Sequence, residues 1–119
     1  MKEIKLRAWD KKNKRFISPF FVRITGFGKI WILSENLDYV LDEENNIEIT
    51  QFTGLCDKNG KEIYEGDIVR TPFGIGQVFD RLGCWFVEYH KELGYFSSSD
   101  IEVIGNIYEN PELLKNEEE

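Results

Sequence analysis

Metal-binding and nucleophilic residue types are scarce in this chain: its 119 residues include two cysteines and one histidine. Cys56 and Cys84 form no CxxC pair, and with His90 alone beside them they cannot complete a zinc site within one chain. No cofactor and no metal is expected. No apolar run approaches the length needed to cross a bilayer, and Met1 is followed by Lys2, Glu3 and Lys5 rather than by an apolar leader. These absences place the chain in a cytoplasmic, reducing setting with no membrane contact, and both cysteines are expected to be buried thiols. What is present suits a globular chain, since 41% apolar and 14% aromatic residues can build a core for one domain or a small barrel with a subdomain.

The formal charge of −7 conceals a division along the chain. Residues 1–33 hold nine Lys and Arg against Glu3 and Asp10, so residues 34–119 carry −14. A compact body of this length is roughly 35 Å across, several Debye lengths at physiological salt, so opposite ends are screened from each other. The basic segment can therefore meet an anionic partner despite the acidic total. It can equally fold against the acidic remainder or a second copy.

Period-two alternation in KEIKLRAW (Lys2 to Trp9) predicts a half-buried strand, with Ile4, Leu6 and Ala8 on one side and Lys5 and Arg7 on the other. Asp10 and Asn13 supply turn chemistry before Phe16 and Ile17, which predicts a hairpin. FFVRI (Phe20 to Ile24) and KIWIL (Lys29 to Leu33), joined by Thr25-Gly26-Phe27-Gly28, predict a second. For residues 34–46 either a short helix capped by Ser34, with Leu37, Val40 and Leu41 at helical spacing, or an irregular excursion is expected. Short strands then recur at Ile47 to Phe52, Ile68 to Thr71, Gly76 to Phe79, Cys84 to Tyr89, Tyr95 to Ser97 and Ile101 to Ile104. That rhythm predicts a small antiparallel barrel over 51–110, after an N-terminal hairpin subdomain over 1–50. Asn110-Pro111 opens a short C-terminal helix, and 111–119 ends in an acidic tail.

MKEIKLRAWD (Met1 to Asp10), QFTGLCDKNGKEIYEGDIV (Gln51 to Val69) and EVIGNIYENPELL (Glu102 to Leu114) together resemble the YopX family of phage and prophage proteins. The resemblance spans nearly the whole chain, and it implies multimeric assembly with no assigned chemistry and no catalytic residue to carry over. Gly54, Asp57, Asn59, Gly60, Glu65, Gly66 and Asp67 match the motif and, by their residue types, set turns. Cys56 stands where a polar residue is expected. The segment from Gly66-Asp67 onward also resembles an SH3-like barrel, so the fold expected is mainly β: antiparallel hairpins, a small SH3-like barrel and one or two short helices.

Catalytic readings find little to stand on. His90 reads as an exposed loop residue, Ser97 to Asp100 as a loop and strand-entry cap, and Gly74-Ile75-Gly76 as a hairpin turn. Glu62, Glu65 and Asp67 are explained by turns and surface without a cation. Three Trp and five Tyr exceed what a small core needs, and aromatic side chains also anchor interfaces. The function expected is a non-catalytic interaction protein, self-associating and binding a host or phage protein. The alternative is nucleic-acid binding through the basic N-terminal segment. The contact candidates are Trp9, Lys11, Lys12, Lys14, Arg15 and Trp31.

Overall fold

A computed structural model describes residues 5–81, 84–88 and 96–114. Among the described residues the fold is mainly β, its sheets antiparallel, with one short helix at 112–114. Two compact units are distinguished: Lys5–Thr50, and a second that includes everything described from Gln51 onward.

In the first unit, β1 (Leu6–Asp10) pairs with β2 (Arg15–Ile17), placing Ala8 opposite Ile17, Trp9 opposite Phe16 and Asp10 opposite Arg15. The turn closes on Asp10, whose carboxylate accepts the N–H groups of Lys12 and Asn13 at 3.1 and 3.2 Å and Asn13 Nδ2 at 2.8 Å. Asn46 Nδ2 reaches the same carboxylate at 2.7 Å, tying the turn to the approach of a later strand. A 3-10 turn at Pro19–Phe21, capped by the Ser18 hydroxyl, leads into β3 (Val22–Thr25), which pairs with β4 (Lys29–Leu33).

Segment 34–46 is neither helix nor irregular throughout. Tyr39–Leu41 is a strand, β5, on the free side of β4, with Trp31 opposite Leu41 and Leu33 opposite Tyr39. Ser34 does accept the N–H of Asp38, at 3.3 Å, but it closes a tight turn in which Ser34 N–H bonds Asp38 O at 2.7 Å. The helical spacing of Leu37, Val40 and Leu41 lost to an available strand edge, which offers three residues a hydrogen-bonded ladder that an isolated short helix lacks. The Asp42 carboxylate then receives the N–H groups of Asn46 and Ile47, turning the chain into β6 (Ile47–Cys56).

Beyond Thr50, β6 pairs with β7 (Glu62–Tyr64); between the Phe52/Tyr64 and Cys56/Glu62 partners the register shifts in a bulge that contains Gly54. Next come β8 (Asp67–Thr71), β9 (Gly74–Arg81), β10 (Cys84–Val87) and β11 (Glu102–Asn106). They form an antiparallel sheet in the order β10-β9-β8-β11, and one sheet curls as a half-barrel. Ile63, Val69, Val78, Val87 and Ile101 make the core, with Trp85, Phe96 and Val103 packed against it. Along β10 the faces alternate: Trp85 and Val87 face this core, while Phe86 stacks on Phe79 at 5.9 Å.

Smaller expectations are corrected. The hairpin turn is Pro72-Phe73, and Gly74 to Gly76 already belong to β9 because Thr71 pairs with Gly74. Phe96 and Ser97 are not in a strand; Tyr89, His90 and Tyr95 lie outside the described residues. Both cysteines are free and exposed rather than buried, because Cys56 ends β6 opposite Glu62 and Cys84 starts β10 opposite Arg81.

Candidate interaction surface

The motif residues hold the second unit together. Asp57 is 4% exposed. Its Oδ1 accepts Asn59 N–H at 2.8 Å and Lys61 N–H at 2.9 Å, while Oδ2 accepts Val103 N–H of β11 at 2.9 Å. Burial pushes its pKa up, but those three backbone donors and the Lys61 charge outweigh it, so the carboxyl sits below its ordinary range. Asp10 is likewise lowered: burial opposes ionisation, and hydrogen bonds from Asn13, Asn46 and Lys12 prevail. Asp67, also buried, accepts Tyr64 N–H at 2.8 Å.

Two glycines are fixed by their surroundings. Gly66 has φ 87°, which favours a residue without Cβ, and a Cβ there would lie 3.3 Å from the Tyr108 ring. At Gly105 a Cβ would lie 2.6 Å from Asn110 Oδ1 and 2.9 Å from Leu113 Cδ1. Asn106 completes this corner: its Oδ1 accepts Tyr108 and Glu109 N–H, and its own N–H bonds Asn110 Oδ1. Asp10, Asp57, Asp67 and Asn106 thus each accept backbone N–H groups and hold local geometry. Among the described residues no three His, Cys, Asp or Glu side chains converge as a metal site. No helix among them is long and apolar enough to cross a membrane.

The contact candidates divide. Trp9 is only 6% exposed, edge-on to Phe16 at 4.8 Å, so it is a core residue and not a surface anchor. Arg7 lies over the other side of this cluster, 4.6 Å from the Phe16 centroid. Trp31 is half-buried and donates from Nε1 to Thr25 Oγ1 at 2.9 Å, while its strand neighbour Arg23 covers Tyr39 at 4.2 Å. Lys11, Lys12, Lys14 and Arg15 are all exposed at the β1–β2 turn. Lys11 Nζ donates to Asn45 O at 3.3 Å; no ion pair engages Lys12, Lys14 or Arg15 among the described residues.

Sequence reading missed the apolar surface. Phe20, Phe21, Ile24, Phe27, Leu37 and Val40 are large hydrophobic residues left exposed, and all belong to the first unit. Phe27 is completely exposed and, with φ 64° and ψ 19°, takes the left-handed conformation that a bulky residue rarely adopts. Its place between Gly26 and Gly28 was the available signal, since such a tip has nothing to pack under. Beside it is an open groove of about 390 Å³, lined by residues that include Lys29, Ile30, Leu41, Asp42 and Glu43. A neighbouring groove of about 260 Å³ shares Leu41, Asp42 and Glu43 and adds Lys12 and Glu44.

This chain is similar to protein EF1440 from Enterococcus faecalis, whose crystal structure superposes with a TM-score of 0.69 at 30% identity, covering 96% of this chain and 99% of that one. No protein in a curated set matches it. A family model described as YopX protein matches residues 5–115, so nearly the whole chain, including both units and the turn-forming motif, belongs to the YopX family.

Proposed function

We propose that this protein is a non-catalytic interaction module, encoded by a phage or prophage, that self-associates and docks on a host or phage protein in the bacterial cytoplasm. The observation that carries the reading is the exposed apolar set at Phe20, Phe21, Ile24, Phe27, Leu37 and Val40. Large apolar side chains left in water are what a contact site offers, and large aromatic side chains supply most of the binding energy at such sites. The motif carboxylates support the same reading from the other side, because hydrogen bonds to backbone already engage Asp57 and Asp67. The test is retention: immobilised protein exposed to bacterial lysate at low and high salt, followed by reconstitution of any retained pair from purified components. A reconstituted pair that F27N abolishes supports the reading, and absence of any reconstituted pair opposes it.

Exposure of Lys12, Lys14 and Arg15 favours a second reading, phosphate contact with nucleic acid. Gel shifts with short single- and double-stranded DNA and RNA decide it, since binding through these side chains falls steeply as salt rises.

A further inference from the structure

The β3-β4-β5 sheet sorts its side chains by chemistry, one kind to each face. We infer that the face carrying Trp31, Tyr39, Arg23 and Lys29 binds single-stranded nucleic acid, stacking bases on its planar groups and holding phosphates with its cations. This inference rests on the nucleic-acid reading, but it moves the contact away from the β1–β2 turn and commits to an unpaired strand.

Register fixes the sorting, because directly opposed residues share a face. Arg23, Trp31 and Leu41 oppose one another across the three strands, with Thr25 opposite Lys29 and Leu33 opposite Tyr39 on the same side. The other side holds Val22, Ile24, Ile30, Ile32 and Val40, all aliphatic. Val22 and Ile24 line a small pocket together with Leu6, Ala8 and Ile49, so the aliphatic side turns toward β1 and β6 and the mixed side turns away. On that outer side Arg23, Thr25 and Lys29 are exposed, and Trp31 and Tyr39 half-buried.

The chemistry of this face selects the partner. The Trp31 ring is pinned by its Nε1–H bond to Thr25 Oγ1 at 2.9 Å, and the Arg23 guanidinium lies 4.2 Å from the Tyr39 centroid, a planar cation on which a base can stack. No ion pair engages Arg23 or Lys29 among the described residues. Asp38 and Asp42, two positions to either side of Val40, fall on the aliphatic side, and the Asp42 carboxylate is held by Asn46 and Ile47 N–H. Of the two carboxylates lining the groove beside Lys29, this leaves Glu43 alone against two cations. Planar groups with an excess of unpaired cations suit a ligand that is both planar and anionic, and bases offer their faces freely only where the strand is unpaired.

Fluorescence anisotropy with labelled oligothymidine, oligouridine and a duplex of equal length tests this on the full-length protein. Wild type is expected to bind one or both single strands at least about tenfold more tightly than the duplex, with a log–log salt slope of about −1.4 for two phosphate contacts. W31L is expected to weaken binding at least about fivefold, as loss of one stacked base does. K29Q changes an exposed side chain, so it keeps the test decisive if W31L lowers the thermal midpoint, and it is expected to weaken binding and flatten the slope by about 0.7. Replacing Lys12, Lys14 and Arg15 together by Gln is expected to leave affinity and slope unchanged. Binding that survives W31L and K29Q but is lost with the turn overturns this face while the nucleic-acid reading stands, and equal affinity for the duplex overturns it too. If no oligonucleotide binds at low salt, both fail.

Discussion

Val103 and Asp57 lie 46 positions apart, and the Val103 N–H donates to Asp57 Oδ2 at 2.9 Å while Oδ1 of the same carboxylate holds the turn that Asp57 begins. One buried side chain thus fixes both a local turn and its attachment to β11. Lys58 N–H reinforces the attachment by donating to Ile101 O at 2.9 Å.

Replacing Asp57 leaves several backbone donors without an acceptor. D57A is expected to cost about 2–4 kcal/mol in urea unfolding. D57N should be nearly as costly, because an amide NH2 turned toward a backbone N–H cannot accept from it.

Acid should expose the same carboxylate. Its pKa is lowered in the folded protein from an ordinary 3.8. The folded state therefore binds fewer protons than the unfolded one in that range, so the stabilisation is fully present above the ordinary value and is lost as pH falls through the lowered one. Asp10 acts in the same sense. Unfolding midpoints followed below about pH 4 should fall more steeply for wild type than for D57N. Parallel slopes would assign the acid sensitivity elsewhere.

The surface carboxylate Glu102 offers the contrast. It pairs with Arg70 at 3.0 Å and Lys58 at 3.8 Å, with both basic side chains well exposed. E102Q is expected to cost no more than about 1 kcal/mol, since water and salt screen such pairs. Chemical denaturation in low and moderate salt checks this.

G105A brings a methyl group against Asn110 and Leu113, whose side chains must move, and Asn110 Oδ1 is already bonded to Asn106 N–H. A loss of about 1–3 kcal/mol is expected, with the helical turn at 112–114 the first element to gain amide exchange.

The two N-terminal tryptophans should separate in the same way. W9A empties a buried site beside Phe16 and is expected to cost about 3–5 kcal/mol. W31A, from a half-buried site, should cost less than about 2 kcal/mol. Thermal melts of both variants suffice.

Much of the fold was legible because turn residues and period-two patterns act locally. The β1–β2 and β3–β4 hairpins, the Asp57 turn and the faces of Cys84 to Val87 all follow from neighbours in sequence. Trp9 was misread because its cover comes from Phe16 on a partner strand, so both faces of β1 are occupied. Residues 39–41 were misread because only the open edge of β4 makes a strand of them. The basic turn was found by counting charge, but Phe27 and its groove required knowing that the β3–β4 tip stays exposed among the described residues.

The most direct measurement is sedimentation equilibrium of the intact wild-type protein from micromolar to near-millimolar concentration. An average mass that climbs above the 14.0 kDa of one chain as concentration rises is expected. A mass that stays at that of one chain throughout, at low and high salt alike, would contradict the central claim.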